Sequence, residues 1–342
     1  MIDLADIEAA AQRLVGVAVR TPLIRNHALD EACDGIVLIK PECLQVTGSF
    51  KIRGAYNFLS QLTAEEAANG VVAFSSGNHA QGVAAAGTLL GIRTAIVMPE
   101  DAPRAKLENT KLLGGEVITY DRYTGDREEI ARRIAAERGA VVVPSYDHDY
   151  IIAGQGTVGL EIAEQCAELG VEPNQVLVNC GGGGLVSGSA IALKARFPTA
   201  TVHTVEPDQF DDTARSLQEG SRQRVDDEAR SICDALQAHT PGRLTFEIMR
   251  TLLGKGLVVS DDNVREAMRF AFRNLKLVVE PGGAAALAAA LSRMIDMAGK
   301  TTVVVISGGN VDRELYSEIQ GEGDCELSTP SLFDQAVRLE QS

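Results

Sequence analysis

One lysine in this chain, Lys51, stands in a setting that could give its amine a chemical role. It lies between apolar residues in the run TGSFKIRGA, residues 47–55. An amine can form a Schiff base with an aldehyde cofactor, and burial can lower its pKa enough to make it a base. Thr47, Gly48 and Ser49 precede it and predict the start of a helix. The alternative is a solvated surface lysine, which is the commonest fate of this residue type.

Two later segments could bind anions. The run SSGNH, residues 75–79, follows a predicted strand and opens a predicted helix. Free N–H groups at a helix start suit an anion such as a substrate carboxylate, although a helix capped by Ser or Asn would also explain these residues. Gly181–Gly184 follow another predicted strand. Four glycines let N–H groups converge on a phosphate, and the alternative is a flexible turn.

A serine at the end of the last predicted strand could complete a cofactor site. Ser307 opens the run SGGN, residues 307–310, and its hydroxyl could meet a ring nitrogen. The alternative is an ordinary serine in a turn. In this order and at these separations, the four segments resemble the fold-type II pyridoxal-phosphate enzymes, and within them the threonine/serine dehydratase (ammonia-lyase) and serine racemase branch. The resemblance extends from RTPL, residues 20–23, to residue 312.

The resemblance implies an activity. Pyridoxal 5'-phosphate would be the cofactor, and water would be eliminated from L-threonine or L-serine to give a 2-oxo acid and ammonia. Cysteine synthase-like relatives carry different residues around Lys51 and the SSGNH run, which argues against a substituting enzyme. Ser307 is neutral where an aspartate would hold the ring nitrogen protonated. The resemblance therefore implies prompt loss of the β-hydroxyl.

The resemblance also assigns residues. Lys51 would carry the cofactor and act as the base, and Ser76, on the opposite ring face, would be the second acid/base in a racemase. Cofactor contacts fall on Phe50, Lys51, Asn78, Gly181, Gly182, Gly183, Gly184 and Ser307. The substrate carboxylate would be bound by Ser75, Gly77, Asn78 and His79. Glu280 matches a family segment near the site.

A second site is suggested by the acidic loop after the strand at 201–205. Glu206, Asp212 and the carbonyl of Phe210 could hold Mg²⁺, Mn²⁺ or Ca²⁺ together with waters, because hard cations prefer oxygen ligands. Serine racemases and some dehydratases show this pattern. The alternative is an acidic loop that caps a helix.

Other functions stay open at this point. A serine or hydroxyaspartate racemase or dehydratase could use the same site. A non-covalent nucleotide-binding protein could use both glycine loops. Residues 154–159 satisfy G-x-G-x-x-G, but Asn179 and Cys180 stand where a dinucleotide site needs an acidic residue. We interpret this segment as tight helix packing. No G-x-S-x-G motif supports a hydrolase.

Apolar runs alternate with helical patterns along the chain, which predicts an α/β fold with mainly parallel sheets. The predicted strands cover residues 36–39, 71–74, 94–97, 117–120, 140–143, 176–179, 201–205 and 302–306. The resemblance implies a tryptophan synthase β-like architecture of two domains, each with a mainly parallel sheet flanked by helices. Residues 1–52 and 148–320 would form the large domain, 53–147 a small inserted domain, and 321–342 a polar tail.

The overall composition and charge limit the kinds of partner that the protein could bind. The net charge of −15, with neither a basic patch nor a basic tail, argues against nucleic acid and anionic membranes. The six cysteines include no C-x-x-C pair, and the first residues lack a signal-peptide pattern. We therefore expect a cytoplasmic protein with reduced thiols and a small amino-acid substrate. The resemblance further implies that the protein forms a homodimer.

Overall fold

The computed structural model describes residues 2–75, 77–102, 104–121 and 124–322. Within them the strands are β1 (Ile24–Arg25), β2 (Ile36–Pro41), β3 (Val71–Phe74), β4 (Thr94–Pro99), β5 (Glu116–Tyr120), β6 (Val141–Val142), β7 (Gln175–Asn179), β8 (Thr201–Pro207), β9 (Leu253–Val259) and β10 (Thr301–Ile306). The α-helices are α1 (Leu4–Arg13), α2 (His27–Cys33), α3 (Lys51–Leu59), α4 (Ala64–Asn69), α5 (Asn78–Leu90), α6 (Arg104–Leu112), α7 (Arg127–Arg138), α8 (Asp149–Glu168), α9 (Gly184–Arg196), α10 (Asp212–Glu219), α11 (Arg243–Leu252), α12 (Asp261–Phe270), α13 (Pro281–Leu291) and α14 (Arg313–Gly321).

The larger sheet has six strands in the order β1-β2-β10-β7-β8-β9. All of its pairs are parallel except β1 with β2. Successive residues of one strand enter different cores: Val304 and Ile306 pack with α12 and α13, whereas Val303 and Val305 pack with α8 and α9. A sheet covered on both faces requires such near-continuous apolar strands.

The smaller sheet has four parallel strands in the order β5-β4-β3-β6. The predicted α/β class with mainly parallel sheets is therefore confirmed. All four strands lie within residues 53–147, where the sequence predicts an inserted domain, and the domain boundaries themselves stay a prediction. Of the predicted tail, Gly321 ends α14, and residues 323–342 lie outside the described part of the chain.

Helix α8 crosses the molecule between α3 and α9, and its glycines allow a very close approach. A Cβ on Gly154 would lie 2.7 Å from the Cα of Gly54, and one on Gly159 would lie 2.5 Å from the Cα of Ser189. Residues 154–159 are thus the middle of a continuous helix rather than a strand-to-helix turn. The interpretation of this segment as helix packing is confirmed.

A buried cluster of charges joins α3 to β2 and α8. Arg53, 1% exposed, donates two hydrogen bonds to Glu42 (2.8 and 2.9 Å) and two to Glu161 (2.6 and 3.0 Å). Lys40 donates a further bond to Glu161 (2.6 Å). Burial alone would raise the pKa of Glu42, but Arg53 holds it below its usual value. The cluster pairs two cations with two carboxylates and fixes the helix that begins at Lys51.

Two further features concern membrane-spanning helices and the cysteines. Across the described ranges, no helix combines the length and the apolar character that crossing a bilayer requires. The five cysteines in these ranges, Cys33, Cys43, Cys166, Cys180 and Cys233, are free thiols. Cys325 lies outside the described residues.

Candidate active site

A cavity of about 570 Å³ lies where the carboxyl ends of strands from both sheets meet. Ligands of open parallel sheets bind at such edges. The predicted site residues that line the cavity are Phe50, Lys51, Ser75, Gly77, Asn78, His79, Gly181, Gly182, Gly183, Gly184 and Ser307. The structure thus brings together four segments that are far apart in the chain. Ser76 lies outside the described residues.

Lys51 is the first residue of α3, so the helix begins directly after the predicted start signals. The N-cap is Phe50, which makes no side-chain capping bond, so Thr47 and Ser49 do not cap α3. Ser49 instead forms a β-bridge with Gly308, and Gly48 has a φ of +70°. This loop is therefore tied to the end of β10, which holds Lys51 beside Ser307.

Burial shapes the chemistry of Lys51. It lowers the pKa of the Lys51 amine to about 8, while the nearby Glu280 carboxylate acts in the opposite direction. The Nζ atom donates to the carbonyl of Ser145 (3.1 Å) and lies 5.2 Å from the ring centre of Phe50. An amine with such a pKa is neutral in about a tenth of the molecules at pH 7, far more often than an ordinary lysine, and the neutral form is the one that a nucleophile or base requires.

Helix α5 opens onto the cavity without a side-chain cap. Its N-cap is Gly77, and among the described residues no side chain caps it: Ser75 Oγ accepts only from the N–H of Gly77 itself (3.2 Å). The first N–H groups of the helix are therefore free to bind an anion. The imidazole of His79 is buried, its Nε2 lies 3.3 Å from the carbonyl of Val143, and burial lowers its pKa to about 3. His79 is thus neutral and orders the loop.

Helix α9 opens onto the same cavity, also without a side-chain cap. Its N-cap, Gly183, has a φ of +96°, and a Cβ on Gly182 would lie 2.4 Å from the ring of Tyr146. The Gly182 carbonyl accepts from Thr245 Oγ1 (2.7 Å) and from the N–H of Gly242 (3.2 Å). In a trans peptide the following N–H points away from these donors. This cradle, which side chains would fill, fits a phosphate group.

A chain of hydrogen bonds links the lysine segment to α13. Asn78 donates from Nδ2 to Glu280 Oε1, and its Oδ1 accepts from Asn310 Nδ2 (2.7 Å). Asn310 also donates to the carbonyl of Thr47 (2.8 Å). Burial and the nearby Asp234 raise the pKa of Glu280 to about 7. The Asn78 amide therefore has a fixed orientation at the cavity wall.

Sequence reasoning missed several residues at this cavity. Asn179 ends β7 and donates to Ser307 Oγ (2.9 Å). Asp147 caps α11 through the N–H groups of Arg243, Leu244 and Thr245 (2.8 to 3.2 Å). Arg127, the first residue of α7, lines the cavity with its guanidinium 5.9 Å from the ring centre of Phe74. None of these three stands in a motif, so only the fold identifies them.

The predicted cation residues lie away from this cavity. Glu206, the residue before the last one of β8, accepts from the N–H groups of Thr213 (3.0 Å) and Ala214 (2.7 Å), so it does cap α10. Asp212 is 1% exposed, and neither of its carboxylate oxygens has a hydrogen-bond partner in the described ranges. Burial raises the pKa of Asp212 to about 7. Among the described residues no group of three or more His, Cys, Asp or Glu could hold a metal ion.

Comparisons with known proteins match nearly the whole chain. The family described as "Pyridoxal-phosphate dependent enzyme" matches residues 16–308. An L-threo-3-hydroxyaspartate ammonia-lyase of Pseudomonas sp is 44% identical, over 92% of this chain and 97% of that protein. A serine racemase of Schizosaccharomyces pombe is 39% identical, over 91% and 95%. The solved structure of maize serine racemase is 37% identical, with a TM-score of 0.88, over 94% and 97%.

Proposed function

This chain belongs to the pyridoxal-phosphate-dependent enzyme family, and we propose that it eliminates water from a β-hydroxy amino acid to give a 2-oxo acid and ammonia. One observation carries the proposal: an amine with a lowered pKa shares a cavity with two uncapped helix starts. When bound, pyridoxal phosphate accepts electron density from the substrate Cα, which no protein side chain can do. Residues 154–159 lie inside a continuous helix and do not form the strand-to-helix turn that the nucleotide-binding alternative would need.

We assign residues of the cavity their roles in this reaction according to their positions. Lys51 is the covalent anchor of the cofactor and takes the proton from the substrate Cα. The free N–H groups at the start of α5 bind the substrate carboxylate, and the glycines before α9 hold the phosphate. The Ser307 hydroxyl meets the ring nitrogen, and Phe50 packs against the ring.

The overall reaction balances without an oxidant. The Cα–H and Cβ–O bonds break and the hydroxyl leaves as water; hydrolysis of the resulting imine then consumes one water, breaks the C–N bond and releases ammonia. A panel of L- and D-serine, L- and D-threonine and 3-hydroxyaspartate tests the proposal, with the 2-oxo acid and the inverted amino acid both measured. Absence of any 2-oxo acid with every substrate, in enzyme that holds its cofactor, would overturn it.

A second candidate substrate, 3-hydroxyaspartate, is favoured by unpaired cations in the cavity. Among the described residues the guanidinium of Arg127 has no carboxylate partner, and Arg222 bonds only a backbone carbonyl, that of Pro241 (2.8 Å). The acidic side chains of the lining are already engaged: Glu128 pairs with Arg132, Asp234 with Lys106, and Asp147 caps α11. An additional substrate carboxylate would supply the missing partner. The similar Pseudomonas enzyme is named for this substrate.

Arg127→Met tests this candidate. We expect kcat/KM for 3-hydroxyaspartate to fall by roughly 10- to 100-fold, because a hydrogen bond to a charged group contributes about 1.5–3 kcal/mol. For L-serine, which lacks the second carboxylate, we expect little change. Arg133→Met is the matched control, since Arg133 is exposed on the same helix and lies 4.0 Å from Glu137. Equal losses for both substrates would assign Arg127 a structural role.

Racemisation is the alternative use of the same site, and the similar yeast protein is named for it. It would need Ser76 to return a proton to the opposite face of the substrate Cα. The D-amino acids in the panel separate this activity from elimination, because an enzyme with Lys51 alone forms no inverted product.

A divalent cation at Glu206, the Phe210 carbonyl and Asp212 is part of the proposal. The support is the buried Asp212 carboxylate, whose oxygens lack partners in the described ranges. A buried charge without a partner is costly unless a proton or a cation neutralises it.

Chelation should therefore lower the unfolding temperature, and Mg²⁺, Mn²⁺ or Ca²⁺ should restore it. An ion at 100 times its Kd stabilises the fold by about 2.7 kcal/mol. In Asp212→Asn, which keeps the side-chain shape and loses the charge, we expect no response to chelator. If the wild type is equally indifferent to chelator, the loop serves only to cap α10.

We further propose a homodimer in the cytoplasm that binds no nucleic acid. The net charge of −15 argues against nucleic acid, and the free thiols of the described cysteines fit the cytoplasm. The homodimer rests on the resemblance to the family alone.

A further inference from the structure

A buried asparagine stands beside the serine that faces the cofactor ring. Strands β7 and β10 pair in parallel, with Leu177 opposite Val304. Asn179 therefore reaches the same sheet edge as Ser307. Both residues are nearly inaccessible, at 3% and 4% exposed, and both line the cavity. Asn179 belongs to no predicted motif, and the proposed function gives it no role.

The hydrogen bonds of Asn179 leave one orientation for its amide. Oδ1 accepts from the N–H of Ala286 (2.5 Å), and a backbone N–H can only donate. Nδ2 has two protons for three neighbours: the carbonyls of Gly283 (2.9 Å) and Val305 (3.3 Å), which can only accept, and Ser307 Oγ (2.9 Å). The two shorter contacts take the two protons, and the Val305 carbonyl shares one of them at the longer distance. An amide nitrogen has no acceptor lone pair. The 2.9 Å contact from Nδ2 to Ser307 Oγ is therefore an N–H···O bond in which Ser307 accepts.

This bond determines what Ser307 can do next. A hydroxyl has one proton and two acceptor positions. With one acceptor position taken by Asn179, and no acceptor for the hydroxyl proton among the described residues, that proton is available to the cavity. A hydroxyl that donates to a ring nitrogen requires that nitrogen to be unprotonated, whereas a carboxylate would favour its protonated form.

We propose that Asn179 is a positioning residue that holds Ser307 as a hydrogen-bond donor, and so keeps the ring nitrogen of bound pyridoxal phosphate unprotonated. The inference rests on the proposed place of the cofactor and is independent of the substrate. It gives a reason why the buried Asn179 amide donates to a hydroxyl as well as to carbonyls at this sheet edge.

The test is the ¹⁵N chemical shift of the ring nitrogen in holoenzyme loaded with ¹⁵N-labelled pyridoxal phosphate. We expect the wild type to give the signal of an unprotonated, hydrogen-bonded nitrogen. Asn179→Asp places an acceptor beside Ser307, so the hydroxyl turns toward residue 179 and the signal shifts toward that of a protonated pyridine. Ser307→Asp is the positive control for that direction.

Asn179→Ala provides a second variant that keeps the test open if Asn179→Asp fails to fold. Removing the donor should change the ¹⁵N shift and weaken cofactor binding by roughly fivefold, the effect of one ordinary hydrogen bond. In a Ser307→Ala background neither Asn179 variant should move the ¹⁵N shift further. Asn57→Ala controls for lost stability, since the buried Asn57 bonds the carbonyl of Tyr150 (2.7 Å) and does not line the cavity.

Two results would overturn the inference. One is a wild-type signal that is already that of a protonated nitrogen. The other is an equal shift from Asn179→Ala with and without Ser307, which would show that Asn179 does not act through the hydroxyl. Because the signal requires bound cofactor and no turnover, it is read equally well in a protein that fails the substrate panel.

Discussion

Lys51→Ala should reduce the formation of 2-oxo acid by roughly 10⁴-fold or more. In the proposed mechanism the substitution removes the covalent anchor and the base together, and a general base alone contributes about 10²- to 10⁴-fold. The absorbance band of lysine-bound cofactor should disappear as well. Turnover with the best substrate of the panel and the absorbance spectrum of the purified variant are the two measurements.

Two controls sharpen this result. Lys111→Ala removes an exposed lysine of α6 and should change neither turnover nor the spectrum. Added methylamine should restore part of the Lys51→Ala activity, because a free amine can replace the missing base while the cavity stays intact. Turnover close to that of the wild type in Lys51→Ala would refute the role of Lys51.

Arg53→Leu should destabilise the fold by about 3–5 kcal/mol. The variant leaves Glu42, which is fully buried, without its main cation, and an uncompensated buried charge has a cost of this size. Glu161 keeps Lys40 as a partner, so the loss falls chiefly on Glu42. The measurement is the free energy of unfolding in denaturant, where the midpoint should shift to lower concentration.

The matched control is Arg104→Leu. Arg104 is 90% exposed and pairs with Glu108 across one helical turn. Such pairs contribute about 0.3–0.5 kcal/mol, so this variant should unfold almost as the wild type does. An equally small effect of Arg53→Leu would mean that the cluster is solvated in the folded protein.

The strands and the four segments that line the cavity could be predicted from the sequence because their signals are local. All eight predicted strands occur, with ends that differ by at most two residues. The sequence did not reveal β1, which has two residues, or β9, whose Gly254, Lys255 and Gly256 interrupt the apolar pattern. Their strand character comes from pairing with β2 and β8.

The residues that the sequence did not reveal act through partners far away in the chain. Arg53 meets a carboxylate 108 positions later, and Asn179 meets a hydroxyl 128 positions later. Helix α3 does begin at Lys51, directly after the predicted start signals, but the signal residues do not cap it. Thr47, Gly48 and Ser49 are typical of a helix start, but Gly48 packs against Asn310 and Ser49 pairs with Gly308. Long-range contacts here override the local preference.

The glycines of α8 have a consequence for the dimensions of the cofactor site. The helix that begins at Lys51 contacts α8 at Gly154, and α9 contacts it at Gly156 and Gly159. These contact points are five residues apart or fewer, which is at most about 7.5 Å along a helix axis. Helix α8 therefore fixes the distance between the Lys51 amine and the start of α9, where we propose that the phosphate binds. A tilt of the smaller sheet that leaves α3 in contact with α8 would change the volume around the substrate and leave that distance unchanged.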